Sequence, residues 1–488
     1  MILRLALRSL AVRPWRTAVL AAGFGLGIAV MVALLGVGEV IIEQAHAPAL
    51  RGGGDLVVSG AFGPIESARY VLANVLGSPE IRSRHIAASP TRRATVYLIK
   101  PDGPIAVAAR GGIPSLERAV GDPEIAGLRS WTDKPRDATW SQPHPTDILR
   151  AMDRFHPVPQ LDESDGTAGF SATSWAEWLY FNGRSSDGSV RFYLTFLVGP
   201  PATDGQRAAR VRLQLDRNGR STNYSAAAMV DGAALLTRAP DLDIAGNTVR
   251  LVNSEYRLRL ALTREHAAQP PAVGPQPSAP SPRLEGDLVL EASPGRSLPP
   301  AAIHGARGWV SGYVVPVLSG AVGGSLRIGG EVVSLDGAIG YHDHNWGFWE
   351  GVRWQWGQVA HDDVSIVFGR VFPPGSVADP NRVPGFLALL GPSGPLGFST
   401  DVTIAERANT VGTPSGMTIQ ARGPRIDVRL TLSVEESVTT LMPLTQLPGG
   451  AAMNFVQLGG TFRVDGRAVD RALAFTARGA AETFRATR

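Results

Sequence analysis

Val190-Arg191-Phe192-Tyr193-Leu194-Thr195-Phe196 sets large apolar side chains at every second position, the spacing of a strand whose two faces meet different surroundings. Outward from it, Ala209-Arg210-Val211-Arg212-Leu213-Gln214-Leu215 and Tyr256-Arg257-Leu258-Arg259-Leu260 repeat the pattern, with Asp187-Gly188 and Asn218-Gly219 as turn pairs. The texture resumes at Gly324-Ser325-Leu326-Arg327-Ile328 and runs on to Phe475. Short strands at such regular spacing imply an all-β barrel or sandwich. The Pro-rich stretch 269–282 reads as a disordered loop within this region, because Asp287-Leu288-Val289-Leu290 restarts the strands. A boundary just after Trp346-Gly347 gives two consecutive β units, 161–350 and 351–488.

The chain of 488 residues is long enough for two or three domains, and its 56 glycines and 37 prolines suit a turn-rich β protein. Net charge is only +4. Arginines are scattered rather than gathered in a stripe, so nucleic acid is not an expected partner. With no cysteine there is no disulfide, no thiolate metal site and no thiol nucleophile. Nothing resembles a phosphate-binding glycine loop or a nucleophile elbow, and no cofactor is expected.

Chemistry concentrates in Ala338-Ile339-Gly340-Tyr341-His342-Asp343-His344-Asn345-Trp346-Gly347, followed by Trp354-Gln355-Trp356-Gly357-Gln358. The whole chain has nine histidines and ten tryptophans, so this density is more than composition. Buried groups of this kind must satisfy one another or face a ligand. Two readings follow: the polar end of a binding cavity, or a hydrogen-bonded structural corner. On a strand, His342, His344 and Trp346 share one face while Tyr341, Asp343 and Asn345 share the other.

The first 50 residues read as an amphipathic start and a membrane anchor. The stretch 17–38 is free of charge, preceded by Arg4, Arg8, Arg13 and Arg16 and followed by Glu39 and Glu43. The positive-inside rule places the N-terminus in the cytoplasm and the bulk of the chain outside, in the periplasm. A cleaved signal peptide ending near Ala45-His46-Ala47 is the competing reading. Residues 51–160 read as a small α+β segment without chemistry. It holds a helical spacing over Ile65 to Val75, a hairpin from Thr95-Val96-Tyr97-Leu98-Ile99 to Ile105-Ala106-Val107-Ala108, and a short helix capped by Thr146 through Ile148, Leu149, Met152 and Phe155.

Two resemblances add to this. Leu5-Ala6-Leu7-Arg8-Ser9-Leu10 and Arg13-Pro14-Trp15-Arg16-Thr17 resemble the opening of FtsX/MacB-type ABC-transporter permeases, although no later segment matches the further spans of a permease. Glu177-Trp178-Leu179-Tyr180-Phe181-Asn182-Gly183, the run from Tyr341 to Gly347, Trp354-Gln355-Trp356 and Gly479-Ala480-Ala481-Glu482-Thr483-Phe484 resemble the lipocalin-like family of carotenoid 1,2-hydratases and AttH-like proteins. The resemblance implies two tandem lipocalin-like β-barrels, and a function either in handling lipophilic ligands beside ABC permeases or in hydrating or cyclising polyenes. It implicates His344 and Trp346. The Tyr-x-Asp element of the hydratases has no counterpart around Val367-Phe368-Gly369-Arg370.

The expected protein is thus mainly β, a membrane-anchored pair of barrels around an apolar hollow. It binds a hydrophobic small molecule or lipid, with an ABC-type permease and ATPase as expected partners. Trp178, Tyr180, Tyr341, His342, Trp354, Trp356 and Gln358 are the expected ligand contacts. The alternative is an acid-catalysed hydratase, isomerase or cyclase acting on an alkene. Its candidates are Asp343 as a neutral acid, with His344 and Trp346 beside it, and Glu177 as second acid. The structural reading has Glu177 pairing an arginine. A metal set drawn from His342, His344, His361, Asp362 and Asp363 is weighed and not adopted.

Overall fold

In this computed structural model the described residues are parts of 12–32, 56–58, 65–72 and 87–137, then 145–161, 170–265, 283–292, 296–443 and 452–486, with single gaps at 218, 393, 411, 424 and 470. The Pro-rich stretch and most of the 65–75 spacing lie outside them. The chain divides into two compact units, 1–64 with 85–141, and 65–84 with 142–488.

The first unit holds helix α1 (Pro14–Val32), long and apolar enough to cross a bilayer, a test that a signal sequence also passes. It also holds the expected antiparallel hairpin, formed by β1 (Thr91–Lys100) and β2 (Gly103–Gly112). Helix α2 (Pro114–Ala119) follows, and Arg110 pairs with its buried Glu117 at 2.9 Å and with buried Asp122.

In the second unit, helix α3 (Pro145–Met152) leads into the strands. They are β3 (Trp175–Arg184), β4 (Val190–Pro201), β5 (Gln206–Arg217) and β6 (Arg220–Asp231), then helix α4 (Gly232–Arg238). After it come β7 (Leu242–Ile244), β8 (Asn247–Val252), β9 (Glu255–Arg264), β10 (Arg283–Glu291), β11 (Leu298–His304), β12 (Val310–Ile328), β13 (Glu331–Ser334) and β14 (Ala338–Phe348). Eight of these close on themselves in the order β10-β12-β14-β3-β4-β5-β6-β9, and β9 pairs back to β10 from Thr263↔Arg283 to Glu255↔Glu291. Closure removes the open sheet edge.

The period-two runs put their apolar residues inward, where Phe192↔Leu215, Leu194↔Leu213 and Phe196↔Val211 are cross-strand pairs. All six are buried in one cluster that also takes in Leu179, Leu258, Leu284 and Leu326. The expected hollow is therefore filled: apolar side chains from all around the wall, together with Leu149 and Phe155, form one buried cluster in the barrel interior. Trp346 lies across β12 because its register partner is Gly312, where a Cβ would sit 2.3 Å from the indole.

The chain leaves this barrel at Phe348 and enters a second sheet at β15 (Arg353–His361). That sheet continues through β16 (Val364–Phe372), β17 (Phe386–Gly391), β18 (Gly394–Ser399), β19 (Asp401–Ala408), β20 (Pro414–Gly423), β21 (Ile426–Pro443), β22 (Ala452–Ala468) and β23 (Arg471–Ala486). Its order is β18-β17-β16-β15-β23-β22-β21-β20-β19, a nearly closed barrel around its own apolar core. The two barrels meet along a seam where Tyr180, Val315, Leu318 and Tyr341 of the first pack with Val367, Phe386, Ala388 and Leu390 of the second.

The expected boundary at 160 falls too late. Ile148, Leu149, Met152 and Phe155 are buried against the first barrel, so the segment from 142 belongs to it. Thr146 is also no cap: α3 already begins at Pro145, and the Thr146 hydroxyl donates to the Asn253 carbonyl.

Candidate functional site

Strand β14 carries the signature between β12 and β3, with Tyr341↔Asn182, His342↔Phe181 and Asp343↔Tyr180 in register. Its alternation delivers the two sets to opposite sides of the sheet, and each set has a polar cluster of its own.

On the inner side, His342 Nε2 lies 2.8 Å from Asp153 Oδ2 and its Nδ1 lies 2.9 Å from the Tyr180 carbonyl. The ring stacks on Phe181 at 4.1 Å. Asp153, directly after α3, also accepts from the Tyr256 hydroxyl at 2.6 Å. His344 sits between two carboxylates, with Nε2 3.0 Å from Glu177 Oε1 and Nδ1 3.5 Å from Asp153 Oδ1. Glu177 accepts in addition from the His156 backbone N–H at 3.0 and 3.1 Å, and meets His156 Nδ1 at 2.8 Å. The His156 ring stacks on Trp346 at 4.0 Å.

Electrostatics here follow from imidazoles set against two buried carboxylates. Burial disfavours charged His344, but the close approach of Asp153, the hydrogen bond to Glu177 and the charges of both outweigh it, lifting its pKa to about 9. Burial likewise opposes ionised Asp153 and Glu177, yet the charge of His342 acting on Asp153, and the hydrogen bonds of His156 and His344 to Glu177, hold both below the ordinary carboxylate range. Burial pushes His156 down. Glu177 pairs these imidazoles and not an arginine, because β3 and β14 place it diagonally to His344 on the same inner face.

On the outer side, in the seam, Trp356 Nε1 donates to the Tyr341 hydroxyl at 2.9 Å, which donates to Asp343 Oδ2 at 2.8 Å. Asn345 Nδ2 donates to Asp343 Oδ1 at 2.7 Å. Half-buried Glu482 faces this group from β23, directly across from Trp356. Burial, then the charge of Glu482, raises the Asp343 carboxyl well above its ordinary range. Burial raises Glu482 to about 7.

Aromatic rings flank these acids. Tyr313, Trp356 and Phe386 lie 5.0–5.4 Å apart, Trp178 is 4.6 Å from Trp349, and Trp354 stacks on Phe484 at 4.1 Å. Gln358 Nε2 bonds Asn182 Oδ1 across the seam at 3.1 Å. Two clefts open along the seam, one of about 60 Å³ lined by Asn182, Arg191, Tyr193 and Gln358, the other of about 470 Å³ lined by Arg296, Ser319 and Ile339.

Among the sequence candidates, Asp343, Trp178, Tyr180, Tyr341, Trp354, Trp356 and Gln358 come together at the seam. His342, His344 and Trp346 do not join them; they lie inside the first barrel. The weighed metal set does not assemble: His361 stacks on Phe475 beside Asp362, and Asp363 forms a paired bond with Arg471 at 2.7 and 2.8 Å. Instead His156, Glu177 and His344 bring three potential ligand atoms within 4.8 Å of one another. Sequence reasoning missed Asp153, His156, Tyr256 and Glu482. The first two follow the expected short helix in a segment read as free of chemistry, and their link to His342 and His344 is purely tertiary.

Fold and site together define a double β-barrel protein with a buried histidine–carboxylate cluster in one barrel and an acid-bearing aromatic seam between the two. No protein-family model matches the chain, and no curated protein matches it. Among solved structures it is similar to a protein assigned as AttH from Nitrosomonas europaea, at 15% identity over 67% of this chain and 99% of that one, TM-score 0.41. CghA is similar at 13% identity over 64% and 88%, TM-score 0.40, and kievitone hydratase from Nectria haematococca at 12% over 64% and 88%, TM-score 0.39. This likeness assigns no residue a role.

Proposed function

We propose that this protein is a membrane-anchored, lipocalin-like double barrel that binds a hydrophobic, lipid or isoprenoid-like ligand along the seam, with Asp343 and Glu482 meeting the ligand's polar end. The observation that carries this is the set of rings left partly open there: Trp178, Trp354 and Trp356 are half-buried and Phe398 is 58% exposed, and Trp356 is bonded through Tyr341 to buried Asp343. Open aromatic surface beside convergent polar groups is what a ligand site requires. Helix α1 supports anchoring, and the arginines before it support an inside N-terminus with a periplasmic bulk. Association with an ABC-type permease and ATPase rests on the likeness of the first 50 residues to such permeases. The test is to purify the full chain in detergent, identify co-purified lipids by mass spectrometry, and titrate it with an apolar fluorophore. Trp356→Ala should weaken binding by tenfold or more, and a wild type that neither carries lipid nor binds the probe sinks the reading.

The second reading is acid catalysis on an alkene, favoured by the protonated form that burial imposes on Asp343. Asp343 would give its proton to one alkene carbon, and the Trp356 and Tyr341 rings would face the carbocation left on the other. Water then adds to the cation and gives a proton back to the Asp343 carboxylate, completing hydration, or an adjacent carbon loses its proton to that carboxylate, completing isomerisation. Asp343→Asn should abolish turnover while ligand binding persists; turnover that survives excludes Asp343 as the acid.

A further inference from the structure

The inner cluster contains a constellation that neither reading of the seam uses. We propose that His156, Glu177 and His344 form a binding site for one first-row divalent metal ion of the Zn²⁺ class. The three ligands come from three separate segments: the chain after α3, β3 and β14. Glu177 Oε1 lies 2.8 Å from His156 Nδ1 and 3.0 Å from His344 Nε2. A metal at about 2.0–2.2 Å from each atom needs ligand separations only a few tenths of an ångström larger. Two imidazoles and a carboxylate suit zinc, copper, nickel, cobalt or iron and are a poor set for calcium or magnesium. The fourth position is left to water.

A second observation points the same way. His344 Nδ1 and Asp153 Oδ1 are both buried and face each other at 3.5 Å, and among the described residues neither makes a hydrogen bond of ordinary geometry. An ion on His344 Nε2 takes the place of the proton there and keeps the one on Nδ1, which faces that carboxylate oxygen, so this contact persists with the ion bound. This is the carboxylate–histidine–metal arrangement that orients ligating imidazoles elsewhere. The other ligands are already fixed, His156 by its stack on Trp346 and Glu177 by the His156 backbone N–H. His156, 13% exposed at its side chain, is the edge through which an ion reaches fully buried Glu177 and His344.

The experiment uses untagged full-length chain in detergent, stripped with chelator and reloaded with Zn²⁺ or Co²⁺. Elemental analysis after desalting should give close to one ion per chain. Co²⁺ should produce visible ligand-field absorption and quench Trp346 fluorescence, because that indole stacks on His156. His156→Ala and Glu177→Gln should each lose the ion and the quenching, while His361→Ala retains both. Wild-type protein that takes up no stoichiometric ion and shows no Co²⁺ absorption overturns the proposal, whatever the variants do. So does equal metal content in wild type and His156→Ala.

Discussion

Glu482→Gln isolates the seam acid with nearly the same shape. In the folded protein Glu482 releases its proton near pH 7, against an ordinary value of 4.5, because burial disfavours its charge. Between these two pH values the unfolded chain has already ionised at this position while the folded chain keeps its proton. Folding therefore takes up a proton there, and this contribution, complete below pH 4.5, is lost as pH rises through about 7. At about 1.4 kcal/mol per pH unit the loss approaches about 3 kcal/mol, an upper figure because Glu482 keeps some contact with solvent. The glutamine has no charge to bury. Wild type and Glu482→Gln should match in stability near pH 4.5, and the variant should be the more stable by up to about 3 kcal/mol at pH 8. The assay is urea unfolding of both proteins in the same detergent across pH 4.5–8.5, read as the difference between them. Because the charge of Glu482 is the second cause lifting Asp343, the variant should also lower the Asp343 pKa, seen by carboxyl-carbon NMR. Parallel loss of stability in the two proteins with rising pH would falsify the buried-acid argument.

Other expectations follow from the inner cluster, the β12–β14 contact and the anchor. His344→Ala removes the cation between buried Asp153 and Glu177, so it should cost about 3–5 kcal/mol in urea unfolding, while His361→Ala at the exposed end of β15 changes little. Gly312→Ala puts a methyl group 2.3 Å from the Trp346 ring and should cost about 1–3 kcal/mol, with a shift in Trp emission; a silent substitution would show that the indole packs elsewhere. For α1, membranes washed with alkaline carbonate should retain the protein with residue 1 or 2 as its terminus by mass. Soluble protein starting near residue 46–48 would replace the anchor with a cleaved signal.

Much of the architecture was legible because strand periodicity is a local property. The alternation from Val190 to Phe196 and from Ala209 to Leu215 appears directly as facing inner rows of β4 and β5. The same period separated His342, His344 and Trp346 from Tyr341, Asp343 and Asn345, and the structure keeps that separation. The runs Thr95–Ile99 and Ile105–Ala108 predicted the pairing of β1 with β2, since the two strands of a hairpin are adjacent in sequence. The helix through Ile148 and Met152 was visible too, though its destination was not.

What tertiary structure decided is which surroundings each face meets. Asp153 and His342 are 189 residues apart, and Tyr256 reaches the same carboxylate from a second strand, so no spacing rule links them. Glu177 looked like an arginine's partner until strand pairing set it diagonally to His344 and the chain beyond α3 brought His156 to it. Glu482 faces the Asp343 group only because two barrels pack side by side; burial raises both carboxyls, and the charge of Glu482 adds to the rise of Asp343. The amino-acid order specifies which way a side chain points from its strand. Barrel closure, register and barrel-to-barrel packing then choose its neighbours, and those neighbours set its charge.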